Sequence, residues 1–258
     1  MNTPRYGHTA SVLANGKALV TGGINGEIFL NSTELYDPST GGWVTTASMG
    51  NSRQRHTACV LTNGKVLVTE GNDGPVLDSA ELYDPSTGTW TTTSSMKSRR
   101  GFHTASVLAN GQVLVAGGYD IYGLYSTELY DPSTETWTIT GSMNDARQMY
   151  TATVLANGKV LVTGGDDGVV FLKSAELYDP LTGNWTTAGS MSFTRAWHTA
   201  STLADGNVLV AGGNSYGVNI TELYIPLTKA VSSIHKMNNA SDYLKVPVLT
   251  NGKPLINS

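Results

Sequence analysis

Four histidines recur at one repeating position: His8, His56, His103 and His198, with Tyr150 where another would stand. Imidazole is a common metal ligand, so a metal centre is the first chemistry to consider. Zinc ligands must converge to about 2.0–2.1 Å from one ion. These side chains come one per repeat, which spreads them apart and argues against a shared ion. The sole cysteine, Cys59, stands where other repeats carry Ser11, Ser106 and Ser201. It reads as a strand residue rather than a nucleophile, and it rules out an intramolecular disulfide or a cysteine-built metal cage. Glu34, Glu81, Glu128, Glu176 and Glu222 give one carboxylate per repeat, not an acid–base pair. Asp166-Asp167-Gly168 and Asn72-Asp73-Gly74 are turn formers, and neither completes a calcium-loop spacing. Arg5, Arg53, Arg100, Arg147 and Arg195 lie three positions before each His or Tyr. They could ring a channel and bind an anion, but their recurrence favours a constructive role, tying a loop to backbone carbonyls. No catalytic residue, metal or cofactor is assigned.

The elements that carry these residues follow from the repeat, which must be recognised before any local reading. An Asn-Gly or Asp-Gly pair begins at Asn15, Asn63, Asn110, Asn157, Asp205 and Asn251, and ELYDP begins at Glu34, Glu81, Glu128 and Glu176, returning as ELYIP at Glu222. Trp43, Trp90, Trp137 and Trp185 keep the same beat, as do Met1, Met49, Met96, Met143, Met191 and Met237. The repeats are 1–48, 49–95, 96–142, 143–190 and 191–236, with a partial, degenerate sixth at 237–258, all in one domain spanning 1–258. Each full unit reads as four short strands. The first is HTASVL, His8 to Leu13 in unit one; Asn15-Gly16 predicts a two-residue type I′ turn. The second, Ala18 to Thr21, has counterparts apolar at every position, as in a strand buried on both faces. The third lies around Thr33 to Tyr36 and is stopped by Asp37-Pro38; the fourth starts at Trp43 and is rich in Thr.

Four antiparallel strands per unit make one propeller blade, and a lone blade cannot bury both faces, so neighbours must stack. Gly22-Gly23, Tyr36 and Trp43, and again Gly117-Gly118, Tyr130 and Trp137, resemble the doublet, Tyr and Trp of kelch repeats. The resemblance covers nearly the whole chain and implies an all-β, kelch-type β-propeller of five four-stranded blades plus a partial sixth. Glu70 departs from it at the first doublet Gly of unit two, Ile225 replaces the Asp of ELYDP, and Val231 stands where Trp is expected. The half-made sixth unit predicts a poorly closed ring. The indoles read as inter-blade packing.

Function is expected on loops carried by the rigid scaffold. The Asn-Gly and Asp-Pro turns barely vary and share one face; the stretches after the doublet and the links before each first strand vary and share the other. The resemblance places a binding surface at the channel mouth, with the HTA strand innermost. The unit-specific large side chains there are Arg55, Phe102, Tyr119, Tyr122, Tyr125, Phe171, Trp197 and Tyr216. Arg, Tyr and Trp are enriched in binding hot spots, though such side chains also fill gaps between blades. The expected function is a non-catalytic scaffold for a protein or peptide, or a glycan. Two alternatives come from the resemblance: a fragment of a galactose- or glyoxal-oxidase-like copper enzyme, and the substrate-recognition propeller of a ubiquitin-ligase adaptor. The copper centre of those oxidases needs a Tyr–Cys crosslink, which Cys59 is badly placed to make.

Composition bounds the partners. Hydrophobic residues are 40% of the 258, enough for a core, while charged residues are only 14% and the net charge is −4. With no basic stripe, nucleic acid and anionic membrane are excluded as partners. No apolar run approaches the ~18 residues of a membrane span. The compartment is not legible.

Overall fold

The computed structural model describes residues 1–213 and 220–236, the last three by backbone alone. Tyr216 and the partial sixth repeat, with the expected ring closure, lie outside the described residues. Among the described residues are five four-stranded sheets, each running in chain order from first to fourth strand, and a two-stranded hairpin. Blade one comprises Thr9–Val12, Ala18–Thr21, Thr33–Asp37 and Gly42–Thr46. Blade two comprises Thr57–Val60, Val66–Thr69, Ala80–Asp84 and Thr89–Thr92. Blade three comprises Thr104–Val107, Val113–Ala116, Thr127–Asp131 and Thr136–Ile139. Blade four comprises Thr151–Val154, Val160–Thr163, Ala175–Asp179 and Asn184–Thr187. Blade five comprises Thr199–Thr202, Val208–Ala211, Ile220–Ile225 and Ala230–Lys236. The fold is all-β and of propeller type, as the repeat implied.

The chain packs as two compact units, Met1–Val115 with Glu128–Ile139, and Ala116–Thr127 with the chain from Thr140 onward. In the first unit the first strand of blade two lies between those of blades one and three; in the second, the first strands of blades four and five are neighbours. The second strands, apolar up to a closing Thr or Ala, are fully buried, as at Val66–Thr69 and Val160–Thr163. They supply the cores. Leu19, Met49, Val66, Val68 and Tyr83 cluster between blades one and two, and Leu161, Leu177, Val208 and Tyr224 between blades four and five.

Register explains the fixed Tyr-to-Trp spacing. Tyr83 stands opposite Trp90 and Tyr178 opposite Trp185 across an antiparallel pair, so each ring pair meets at about 5 Å in a tilted stack. The same residues then join neighbouring blades. The Trp90 indole N–H donates to the Ala47 carbonyl at 3.0 Å, and the Tyr83 and Thr46 hydroxyls bond at 3.1 Å. Trp137 donates to the Ser94 carbonyl and Trp185 to that of Gly141. Inter-blade packing is therefore the role of these three indoles.

The first hairpin turn differs from the sequence expectation. The Leu13 N–H donates to the Lys17 carbonyl and the Gly16 N–H to that of Leu13, which makes a three-residue loop, Ala14 to Gly16. Only Gly16 takes positive φ, at 81°. Asn15 instead uses its side-chain carbonyl to accept the Lys17 N–H at 3.1 Å. That is a type I turn followed by a left-handed glycine, a common hairpin closure that spares Asn the strained conformation.

Candidate functional site

Four consecutive residues recur in the link before each first strand: the arginine, a bridging residue, a residue of variable type, and the histidine or, in the fourth repeat, Tyr150. The arginine is an anchor. The buried Arg5 guanidinium donates to the Gly22 and Ser32 carbonyls, both at 2.8 Å, and to Glu34 at 2.9 Å. Arg53 does the same with the Glu70 and Ser79 carbonyls and Glu81, and Arg147 with those of Gly164 and Ser174 and Glu176. Arg100–Glu128 and Arg195–Glu222 repeat the ion pair at 2.9 and 2.7 Å. The carbonyl bonds match the tying role expected for the arginines. The carboxylate was the part sequence reasoning missed, and the signal was a near-constant Arg-to-Glu separation of 27 to 29 residues. The Glu also accepts backbone N–H groups at the start of its own repeat, as Glu81 does from Gly50 and Asn51. Burial raises the Glu34 carboxyl, but bonds from the Asn2 and Thr3 amides and from Arg5 outweigh it and hold it below its ordinary value.

The histidine reaches one blade back. His56 Nε2 sits 3.0 Å from the hydroxyls of both Thr9 and Thr21, His103 takes Thr57 and Thr69, and His198 takes Thr151 and Thr163. Burial, then Arg53 and His8, push His56 down to about 3; burial, then Arg195, push His198 to about 3 as well. These imidazoles are neutral structural links. Tyr150 replaces His where the strand opposite ends in Ala116 instead of Thr, and its hydroxyl donates to the Ala116 carbonyl at 2.6 Å. The first doublet glycine makes room for this link. A Cβ on Gly117 would collide with the Arg147 carbonyl at 2.6 Å and approach the Tyr150 hydroxyl at 3.0 Å.

Between arginine and histidine lies the position of most interest. Gly7, Arg55, Phe102, Met149 and Trp197 occupy it in the five repeats, and all have φ between 53° and 65°. Bulky L-residues rarely adopt this left-handed conformation, which costs roughly 1–2 kcal/mol each. Strain of this kind persists only where the surroundings impose it, and it clusters at binding sites. Before Arg55 and Met149 the chain is pinned by an isolated bridge, Gln54 to Asn72 and Gln148 to Asp166. Neighbouring positions are also laced together, the Arg55 N–H donating to Gly7 and the Trp197 N–H to Met149.

In the first unit Arg55 is exposed and stacks its guanidinium 4.4 Å from the centroid of the half-buried Phe102. In the second unit Phe171 and Trp197 meet edge to face at 6.0 Å. Tyr119, Tyr122 and Tyr125 belong to the second unit too, on the loop after the blade-three doublet. Tyr119 is half-buried and paired with Gly123; Tyr122 and Tyr125 are exposed. The residues singled out from sequence thus form an Arg55–Phe102 pair in one unit and a Phe171–Trp197 pair in the other, with Tyr119, Tyr122 and Tyr125 on a separate loop of that second unit. Met149 and Gly7 were missed, because neither stands out by type; their equivalence to Arg55 in the repeat was the available signal.

Cys59 packs in the core beside Leu61 and Leu67, and burial pushes its thiol up to about 12. It is a protonated strand side chain with none of the activation a nucleophile or crosslink requires. Glu70 is the irregularity of blade two. It is buried at φ 53° with both carboxylate oxygens lacking a hydrogen-bond partner, 3.7 Å from Arg100 Nε and 3.5 Å from His103 Nδ1.

No curated protein sequence matches the chain. Residues 4–50, 55–97, 100–144 and 149–192 match the Kelch motif, more than half of the chain. Kelch repeats commonly serve as protein-interaction scaffolds and are generally not enzymes. With this match, its four-stranded blades and its Tyr–Trp junctions, the chain belongs to the kelch-repeat family.

Proposed function

We propose that the chain is a non-catalytic scaffold that binds a protein or peptide segment through the left-handed residues and the loops after the doublets that each unit carries. One observation carries this reading: a backbone position identical in every repeat, held in a costly conformation, is filled by Arg, Phe, Met and Trp rather than by Gly alone. Stability would favour glycine there. Side chains retained against that preference, half-buried or exposed, are side chains with a use outside the fold. Arg, Phe, Met and Trp supply the charge, ring faces and pliable apolar surface that interfaces concentrate. Glycans are the other ligand class such aromatic surfaces suit, through the faces of their sugar rings.

The test uses the full chain against arrayed peptides and arrayed glycans, with an Arg55→Gly/Trp197→Gly variant beside it. Peptide binding lost in the variant, with thermal stability retained, is the expected result. Binding to glycans alone would replace the ligand class. A wild type that binds neither array, or a variant that binds as well as wild type, refutes the reading.

A further inference from the structure

In the first four blades a miniature hairpin follows the doublet and lifts a short tip off the blade. In blade three Tyr119 pairs with Gly123, and the Asp120 N–H closes the tip onto the Tyr122 carbonyl. In blade four Asp166 pairs with Phe171, and the Asp167 N–H closes onto the Val170 carbonyl. Both hairpins belong to the second unit, and they touch: a Cβ on Gly123 would press against the Asp167 carbonyl and lie 3.3 Å from Ala146.

The tips are apolar. Ile121 is 71% exposed, Tyr122 79%, Val169 89% and Val170 55%. Isolated apolar side chains at the surface are ordinary, but four exposed ones carried on the tips of two abutting hairpins mark an interaction site. None of the four helps the blades to pack, and turn chemistry at such tips calls for polar residues. The surrounding charge is one-sided. The two loops carry Asp120, Asp166 and Asp167 against Lys173. Asp166 accepts the Gly168 N–H, and Asp167 accepts those of Val169 and Val170 at 2.8 Å, so amides hold both carboxylates.

We propose that these two tips form a docking surface for a basic peptide segment with an apolar anchor: one or two large aliphatic or aromatic residues set on Ile121, Tyr122, Val169 and Val170, flanked by Lys or Arg facing the aspartates. The proposal rests on the scaffold reading above and deepens it. Charge complementarity selects the occupant, since an acidic segment would be repelled by three carboxylates. Apolar burial at the tips supplies most of the affinity, and the aspartates supply on-rate and selectivity.

A random twelve-residue peptide library displayed on phage and selected on the full chain tests this. Enriched peptides are expected to share Lys or Arg flanking an apolar residue. Their affinity should fall at least tenfold for Ile121→Ser/Val169→Ser, and several-fold, with weaker salt dependence, for Asp120→Asn/Asp166→Asn/Asp167→Asn. Asn keeps the acceptor each turn needs, so unchanged melting of both variants separates docking from folding. Peptides that bind both variants like wild type overturn this surface and leave the scaffold reading standing. An acidic consensus overturns the charge assignment. A chain that instead sediments as a dimer dispersed by Ile121→Ser/Val169→Ser makes a second copy the occupant and overturns the peptide. Absence of any enriched peptide removes this proposal and the peptide-scaffold reading together.

Discussion

Glu70→Gly should make the protein more stable. In the other repeats this position is Gly22, Gly117, Gly164 and Gly212, all at φ near 60 to 70°. Relief of the left-handed backbone gains roughly 1–2 kcal/mol. Glycine's greater freedom in the unfolded chain takes back about 0.5–1 kcal/mol. The remaining term is the carboxylate, buried with neither oxygen in a proper hydrogen bond. A buried group left in that state costs about 1–3 kcal/mol or more, and Arg100 at 3.7 Å and His103 at 3.5 Å offset only part of it. Arg100 keeps its bond to Glu128 at 2.9 Å when Glu70 is gone. At their midpoints, and with that offset, these terms net about 2 kcal/mol, a rise in Tm of roughly 4–8 °C for a chain of this size. Urea unfolding at pH 7, followed by tryptophan fluorescence, measures it. Glu70→Gln separates the causes, since it removes the charge and keeps the strain. Burial pushes the Glu70 carboxyl well above its ordinary value, against the pull of Arg100. Above about pH 4.3 the unfolded chain therefore releases a proton that the folded chain holds. Wild type should then lose stability relative to Glu70→Gln as pH rises through that window, and the two should converge in acid. A Glu70→Gly variant less stable than wild type at pH 7 would show that the Arg100 and His103 contacts outweigh strain and desolvation.

Glu135 and Lys229 sit at φ 55° in the turn where other repeats have Gly41, Gly88 and Gly183; Glu135→Gly should raise stability by up to about 1 kcal/mol in a thermal melt. Arg53→Met should cost about 3–5 kcal/mol, because it strands the buried Glu81, and chemical denaturation will read it. His56 and His198 are pushed down to about 3, so the unfolded chain binds protons that the folded chain refuses. Stability should fall as pH drops from about 6.5 towards 3, by up to about 1.4 kcal/mol per pH unit for each histidine; a flat urea midpoint across that range would contradict their neutral burial. Tyr150→His should destabilise by about 1–2 kcal/mol, since Ala116 offers no hydroxyl to the imidazole, and adding Ala116→Thr should recover most of it in a double-mutant cycle.

The blades were legible because their signals are local and repeated. Apolar second strands, Asp-Pro stops and the Tyr-to-Trp spacing each state a strand or a turn directly. Arg53 and Glu81 were both noticed, yet their pairing was not, because it is made across a loop rather than along a strand. The left-handed position was hidden for a different reason. Its residues share no chemistry, only the absence of β-branching, and backbone conformation leaves no positive mark on type when the fold imposes it. Ile121, Val169 and Val170 were passed over because aliphatic residues usually signal core, and only exposure shows that these are not. Arg55, Phe102 and Trp197 were singled out for size; the structure adds the strain that gives their retention meaning.

The histidine and tyrosine links set rules of inheritance for the chain. Each repeat carries a plug, His or Tyr, and a socket, Thr or Ala at the end of its second strand. Thr21, Thr69 and Thr163 receive His56, His103 and His198, while Ala116 receives Tyr150. Excising or duplicating one repeat preserves every fit only when plug and socket types still correspond. The second repeat can be lost cleanly, because His103 finds at Thr21 the partner it had at Thr69. Losing the third sets Tyr150 against Thr69, a mismatch of shape and of hydrogen-bonding. The array is therefore not freely shuffled by recombination, and one substitution, Thr to Ala, fixes which repeat can stand next in line.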